Sequence, residues 1–336
     1  MEYRVLGKTE LKVSRLGFGG IPIQRTSQSE ANNMFALCRE AGINFVDTAC
    51  GYGDSEEKIG QAIKGNRSSF ILASKSPKRE ATGFRTDLEI CLKLMGTEYL
   101  DLYQLHMVNV PEVWAQITAT GGALEALLLA QKQGLVRYIG VSSHNNEMLL
   151  EMLKTTIFDT VQFPFNVVEQ QFLPALQLAG EGNVGTIGMK PLGGGAFERA
   201  DLALKFALNS AITTIIPGMD DATQVTANAA VFPVSVLTNE EKVLLENEVL
   251  ILGADFCRRC EYCLPCPQNI RIPVIFVLES YALRYGLVEW ANERYFGLPT
   301  YVDACLNCGL CEKRCPYQLP IREKLAKAAS TFARPK

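Results

Sequence analysis

Eight times between Arg15 and about Phe232 a short apolar strand is followed by an amphipathic helix, and a chain that repeats a βα unit eight times closes its strands into a barrel. The strands read RLGFGG (15–20), NFVDTA (44–49), FILASK (70–75), LDLYQLH (100–106), RYIGVSS (137–143), TVQFPFN (160–166), VGTIGMK (184–190) and TTIIPG (213–218). Between them, ANNMFALCREAG, SEEKIGQAIKG, GALEALLLAQKQG and ADLALKFALN carry apolar residues at three-to-four spacing, and several end on the glycine that stops a helix. Ahead of the first strand, EYRVLG and LKVSRL flank KTE, which predicts a hairpin closing the barrel floor. An open nucleotide-binding sheet is the rival, but it needs G-x-G-x-x-G after the first strand, where this chain has Gly17-Phe18-Gly19-Gly20-Ile21-Pro22. The expected fold class is α/β, a (β/α)8 TIM barrel over residues 1–236.

Eight of the eleven cysteines fall in two tight runs beyond the barrel: Cys257, Cys260, Cys263 and Cys266 before one Pro, Cys305, Cys308, Cys311 and Cys315 before another. The second run is C-x2-C-x2-C-x3-C-P, the ferredoxin pattern in which three close thiolates hold one cubane and the fourth crosses to the other. The first run has a shortened last step. The spacing therefore predicts two 4Fe-4S clusters, one held by Cys257, Cys260, Cys263 and Cys315, the other by Cys305, Cys308, Cys311 and Cys266. Disulfides would need an oxidising compartment, and the chain opens MEYRVLGKTE without a charged-then-apolar leader, so a cytoplasmic location is expected. Zinc is the closer rival, but its four-cysteine sites usually pair two separated C-x2-C units. Cys38, Cys50 and Cys91 lie outside the runs and read as small buried hydrophobes, with Cys50 notable for its neighbours.

Thr238 with Glu241 forms a capping box that opens a connecting helix, so 237–253 is expected to link the barrel to a small, mainly α ferredoxin-like domain over 254–336. A chain of 336 residues, 48% hydrophobic, has room for both, and no apolar run reaches the length of a membrane span. The net charge of −3 conceals a division: from Ala254 onward there are 12 Lys and Arg against 8 Asp and Glu, leaving 21 against 28 before it. The basic cysteine domain suits an acidic partner such as a ferredoxin or flavodoxin, or the chain's own barrel. Neither nucleic acid nor a membrane is expected as a partner.

Function in such a barrel sits at the carboxyl ends of the strands. Asp47 ends the second, Lys75 the third and His106 the fourth, while Tyr52 follows in the loop DTACGYGDSE. Singly, each has an ordinary explanation as a cap, a solvated cation, a packed ring or a core histidine; together at successive strand ends they point to chemistry. A phenol is a poor acid at neutral pH, but a neighbouring ammonium stabilises its anion and an Asp holds the ammonium in place. Tyr52 could then give a proton to a carbonyl oxygen that His106 orients, with a nicotinamide supplying the hydride.

Here the chain closely resembles the aldo-keto reductase family, through MEYRVLGKTELKVSRLGFGG, FVDTACGYGDSEEKIGQAI, the SK after strand three, QLH, GVSS and PLGGG. Its tail, with CEYCLPCP and CLNCGLCEKRCP, resembles the subgroup ending in a two-cluster ferredoxin-type domain. The resemblance implies Asp47, Tyr52, Lys75 and His106 as catalytic residues. It also implies NAD(H) or NADP(H) held by Ser142, Ser143 and Gln162 at the carboxamide, by Leu192, Gly193 and Gly194 at the pyrophosphate and by Asn228 at the adenine. Gly20, Met189, Lys190, Pro217, Gly218 and Gln224 complete the expected contacts, Met189 standing where many members have an aromatic ring. The segment PGMDDATQVTAN lacks the Arg or Lys that often meets a 2′-phosphate and has Asp220 and Asp221, which favours NADH at least equally.

The expected function is nicotinamide-dependent carbonyl and alcohol interconversion on a small substrate, with the clusters exchanging single electrons with a partner. Two alternatives stand beside it: an iron-sulfur electron-transfer or scaffold protein whose barrel turns over no carbonyl, and clusters that only hold a small domain together. A flavin would reconcile hydride with single electrons, but no flavin motif is present. The loop VNVPEVWAQITATGG after His106 is expected to line the pocket, with Trp114 as a wall.

Overall fold

The computed structural model describes residues 1–253, 256–259 and 262–332. They divide into two units, Met1–Gly194 with Arg199–Leu245, and Gly195–Glu198 with the chain from Glu246 onward.

The first unit begins with the hairpin β1 (Tyr3–Val5) and β2 (Lys12–Ser14), paired antiparallel with Tyr3 opposite Ser14. Eight strands follow: β3 (Phe18–Gly19), β4 (Phe45–Asp47), β5 (Ile71–Ser76), β6 (Leu100–Leu105), β7 (Val136–Ser142), β8 (Thr160–Pro164), β9 (Gly185–Met189) and β10 (Thr214–Ile216). They lie side by side in chain order, every pair parallel. The ends of the sheet meet through parallel bridges from Leu16 to Ile215 and from Gly19 to Gly218. Gly19 is needed at that seam, because a Cβ there would lie 2.8 Å from the carbonyl oxygens of both Ile216 and Pro217.

The two-residue period of a strand sorts the side chains. Val46, Leu72, Tyr103, Val141, Val161 and Phe163 turn outward into the layer shared with the helices. Phe45, Ala73, Leu102, Ile187 and Ile216 turn inward, where Leu6, Leu11 and Val13 of the hairpin region join them and plug the floor. One step along each strand from this inner layer stand the polar residues described below.

The helices start and stop where local chemistry dictates. Ser27 and Glu30 form a reciprocal capping box before helix Gln28–Ala41, which ends at Gly42 with φ +78°. The segment expected as a pocket loop after β6 instead contains a helix, Pro111–Thr118, begun by a proline that fits a first helical turn. Its Trp114 packs against the core, 6.1 Å from the Phe158 ring.

Thr238 accepts from the Glu241 N–H while Glu241 accepts from the Thr238 N–H, the box that opens helix Asn239–Gly253. The second unit packs helices Ile272–Tyr285, Val288–Phe296 and Ile321–Thr331 around its own core of Ile270, Ile275, Leu278, Tyr295 and Leu325. Tyr295 stacks on Phe332 with centroids 4.1 Å apart. Among the described residues no helix is long and apolar enough to cross a membrane.

Candidate active site

Inward-facing positions above the apolar floor bring Asp47, Lys75 and Gln104 together at the carboxyl ends of adjacent strands, Lys75 paired in register with Gln104. Lys75 is 1% exposed, and its ammonium donates to Asp47 Oδ2 at 2.7 Å and to the Thr48 carbonyl at 2.8 Å. Burial pushes the Asp47 carboxyl upward, and the adjacent Lys75 charge opposes that push. Gln104 and Gln162, from β6 and β8, reach the same carboxylate at 3.5 Å and bond each other at 2.8 Å. An ammonium is thus fixed by a carboxylate that two amides hold in turn.

Tyr52 is placed by a tight turn, its N–H donating to the Ala49 carbonyl and its own carbonyl accepting from Ser55. Ser55, fully buried, ties that turn to the barrel by donating to the Gly20 carbonyl and bonding Thr48 Oγ1, both at 2.8 Å. The Lys75 ammonium lies 5.3 Å from the Tyr52 ring centroid, and the His106 ring meets Tyr52 edge-on with centroids 6.0 Å apart. His106 is held well below the ordinary imidazole range, first by burial and then by the charges of Lys75, Arg79 and Lys190. It is therefore neutral at neutral pH. Among the described residues its buried Nδ1 has no hydrogen-bond partner.

Lys190 closes the mouth from the end of β9 in the left-handed region, φ +58°, a conformation that costs a non-glycine residue about 1–3 kcal/mol. Its carbonyl is held by the Asn166 amide at 3.0 Å and by the Gly193 N–H at 2.9 Å. Its ammonium reaches His144 Nε2 at 2.8 Å. Both histidines of the chain thus occur at this end of the barrel.

The residues expected around a dinucleotide form a band from β7 to β10. Ser142 and Gln162 are buried and stand opposite each other in register. Ser143 is fully buried, and its hydroxyl is engaged within its own turn by Asn145 and Asn109. Met189 packs against the barrel's inner apolar layer. Gly193, Gly194 and Gly195 have φ of +58°, +71° and +76°, a run of left-handed glycines that suits backbone N–H groups to an anion. Asn228 is 6% exposed, Pro217 is buried and Gly218 exposed. Gly20 sits where a Cβ would lie 2.9 Å from the Asp47 carbonyl oxygen.

Asp220 and Asp221 are both engaged. Arg25, from the turn after β3, donates to Asp220 Oδ2 at 2.7 Å, and Gln224 bonds Asp220 at both its Oδ1 and its N–H. Asp221 caps helix Ala222–Ala229. Arg25 thus reaches Asp220 from the other side of the barrel seam.

Cys38 and Cys91 are fully buried. Cys50 donates to Asp87 at 3.3 Å, and burial together with that carboxylate pushes its thiol up to about 12, which makes it a poor nucleophile. In the second unit, one small cavity is lined by Cys257, Cys263 and Cys315, and another by Cys266, Cys305, Cys308 and Cys311, with Cys263 reaching its wall too. Cys260 lies outside the described residues. Each cavity therefore combines thiols of both runs, the crossed arrangement that two cubanes require.

Residues 15–201 match the model of the aldo/keto reductase family. The chain belongs to that family. Residues 256–320 match a 4Fe-4S dicluster domain, so this aldo/keto reductase carries such a domain at its C-terminal side. Among curated relatives, an uncharacterized oxidoreductase YqkF of Bacillus subtilis is 29% identical over 194 residues, 53% of this chain and 61% of the relative. L-Galactose dehydrogenase of Arabidopsis thaliana is 26% identical over 304 residues, 75% of this chain and 94% of the relative. The aldo-keto reductase AKR11C1 of Bacillus halodurans, in its holo form, superposes with a TM-score of 0.65 at 25% identity, covering 74% of this chain and 96% of that one.

Within this aldo/keto reductase barrel, Gln104, Asn166, Arg25 and Arg79 surround the expected residues without having been singled out. Gln104 was within reach, since it lies in the QLH segment two places before His106 on the same face.

Proposed function

We propose that the barrel interconverts a carbonyl and an alcohol on a small molecule with a nicotinamide dinucleotide, and that the second unit holds two 4Fe-4S clusters serving one-electron exchange with a protein partner. The observation that carries the first part is the fully buried Lys75–Asp47 pair beside Tyr52 and His106. The dinucleotide would be held by the band from Ser142 to Asn228 and would supply hydride. Tyr52 gives its proton to the carbonyl oxygen, and the fixed ammonium of Lys75 stabilises the phenolate left behind. His106, neutral, donates to the same oxygen and sets its direction. Asp47 keeps the ammonium at the phenol rather than at the substrate. The decisive assay is anaerobic turnover of a panel of aldehydes and ketones with NADH and with NADPH; absence of turnover across the panel would leave the electron-transfer reading.

The Arg25–Asp220 pair bears on cofactor choice. The pairing weakens but does not reverse the repulsion of a 2′-phosphate by Asp220, so NADH is expected to bind at least as well as NADPH. In Arg25→Ala that carboxylate loses its counter-charge, and the Kd for NADPH should rise about tenfold while that for NADH changes less than about threefold. Equal losses for the two would detach the pair from the cofactor.

For the clusters, the cavity linings support Cys257, Cys263 and Cys315 in one ligand set, to which the spacing of the run adds Cys260, and Cys305, Cys308, Cys311 and Cys266 as the other. Anaerobically prepared protein should contain about eight iron and eight acid-labile sulfide per chain. Cys266→Ala and Cys315→Ala should each lower both to about four and remove a different paramagnetic signal on reduction. Stoichiometric zinc without sulfide would refute the assignment. The excess of basic side chains from Ala254 onward supports an acidic carrier as partner.

A further inference from the structure

His106 stands at a backbone that would not hold itself. The residue after it, Met107, has φ +59°, a left-handed conformation that side chains other than glycine rarely adopt. The chain there is pinned from the two neighbouring strands: the His106 N–H donates to the Ser76 carbonyl at 3.0 Å, the Met107 N–H to Ser142 Oγ at 3.0 Å, and the Val108 N–H to the Ser142 carbonyl at 2.9 Å. Those bonds satisfy donors. The acceptors are satisfied by a single side chain, Arg79, whose Nη1 donates to the His106 carbonyl at 2.7 Å and Nη2 to the Met107 carbonyl at 3.1 Å.

Arg79 is itself fixed. Its carbonyl accepts from Ala123, and its loop is stitched to the far side of the β6 excursion by the Ala81 N–H to the Gly121 carbonyl at 2.8 Å and by a bridge from Glu80 to Gly122. A planar guanidinium can span two successive carbonyls with two parallel donors, as an ammonium cannot.

We propose that Arg79 is the positioning residue of this site: by bridging the carbonyls of His106 and Met107 it fixes where the imidazole points. After burial and Lys75, its charge also helps to hold that imidazole below the ordinary range. The role rests on the carbonyl-reduction reading above, in which His106 orients the substrate oxygen. The groups facing His106 are Lys75, bonded to Asp47, from β5 and β4, the Tyr52 ring from the loop after β4, Lys190 after β9, and Arg79 itself. Among the described residues, Arg79 is the one of these that also holds the His106 backbone.

The test compares Arg79→Met, which keeps length but removes charge and donors, with Arg79→Lys, which keeps charge and loses the fork. The chain has two histidines, so the full-length protein labelled with ¹³C-histidine gives two imidazole signals, and His106→Gln identifies which is which. In Arg79→Met, kcat should fall about 10- to 100-fold with the dinucleotide KM within about twofold, and the His106 signal should begin to titrate at higher pH than in the parent. In Arg79→Lys the titration should match the parent while kcat stays below it, since one carbonyl has lost its donor. Should Arg79→Met not fold, Arg79→Lys decides: parental kcat there overturns the clamp. Parental kcat and parental titration in Arg79→Met overturn the whole assignment. The titration is read without turnover, so it stands or falls separately from the reaction; undiminished turnover in His106→Gln would instead remove the carbonyl reading.

Discussion

Tyr52→Phe should fold as the parent does, bind dinucleotide as the parent does, and reduce carbonyl substrates at least about a hundredfold more slowly. The ring is kept, so its edge contact with His106 and its approach to the Lys75 ammonium survive; only the hydroxyl proton is lost. The turn around Tyr52 is held by backbone bonds and by Ser55. The loss belongs in kcat and kcat/KM together, as for a group that acts in the transition state and not in ground-state binding. Turnover within a few-fold of the parent would show that another group supplies the proton.

Lys75→Met should cost both activity and stability, and a second substitution should separate the two. Methionine fills the stem's space but leaves the Asp47 carboxylate buried, 3% exposed, with only the two glutamine amides at 3.5 Å. Breaking one half of a buried ion pair typically costs about 3–5 kcal/mol. For a barrel of this size that corresponds to a thermal midpoint roughly 10 °C lower. Lys75→Met with Asp47→Asn replaces the stranded carboxylate by a neutral amide, so most of that midpoint should return. Activity should not, because the ammonium that stabilises the phenolate is still missing. If the double variant recovered turnover as well, the pair would serve the fold alone.

How much of this was legible beforehand follows from how far apart the partners lie in the chain. Strand ends are local: the two-residue period inside LDLYQLH and FILASK already puts His106 and Lys75 on the inner face, and eight such strands admit a barrel that brings those faces together. The ferredoxin spacing is equally local, and the crossed thiols of the two cavities follow its logic. Arg25 and Asp220 are 195 residues apart and meet only because the sheet closes on itself at β3 and β10, an event no segment announces. Asp220 and Asp221 therefore read as free carboxylates when one is paired and the other caps a helix. Arg79 binds backbone carbonyls, which leave no trace in side-chain pattern. The segment after His106 reads as a loop, whereas its Pro111 stands in a first helical turn, where it starts a helix.

The claim that this barrel passes hydride directly to a carbonyl, with the clusters outside that step, is tested most directly by isotope transfer. Anaerobic protein is given NADH deuterated at each face of C4 in turn, together with a ketone that the panel shows to be turned over, and the alcohol is analysed by mass spectrometry. One of the two labelled cofactors should place a single deuterium on the carbinol carbon with almost no dilution, and Tyr52→Phe should slow that transfer without altering which face is used. An alcohol carrying no deuterium from either face, formed while the clusters cycle, would mean that electrons reach the substrate by another route and would contradict the assignment of the barrel as the site of hydride transfer.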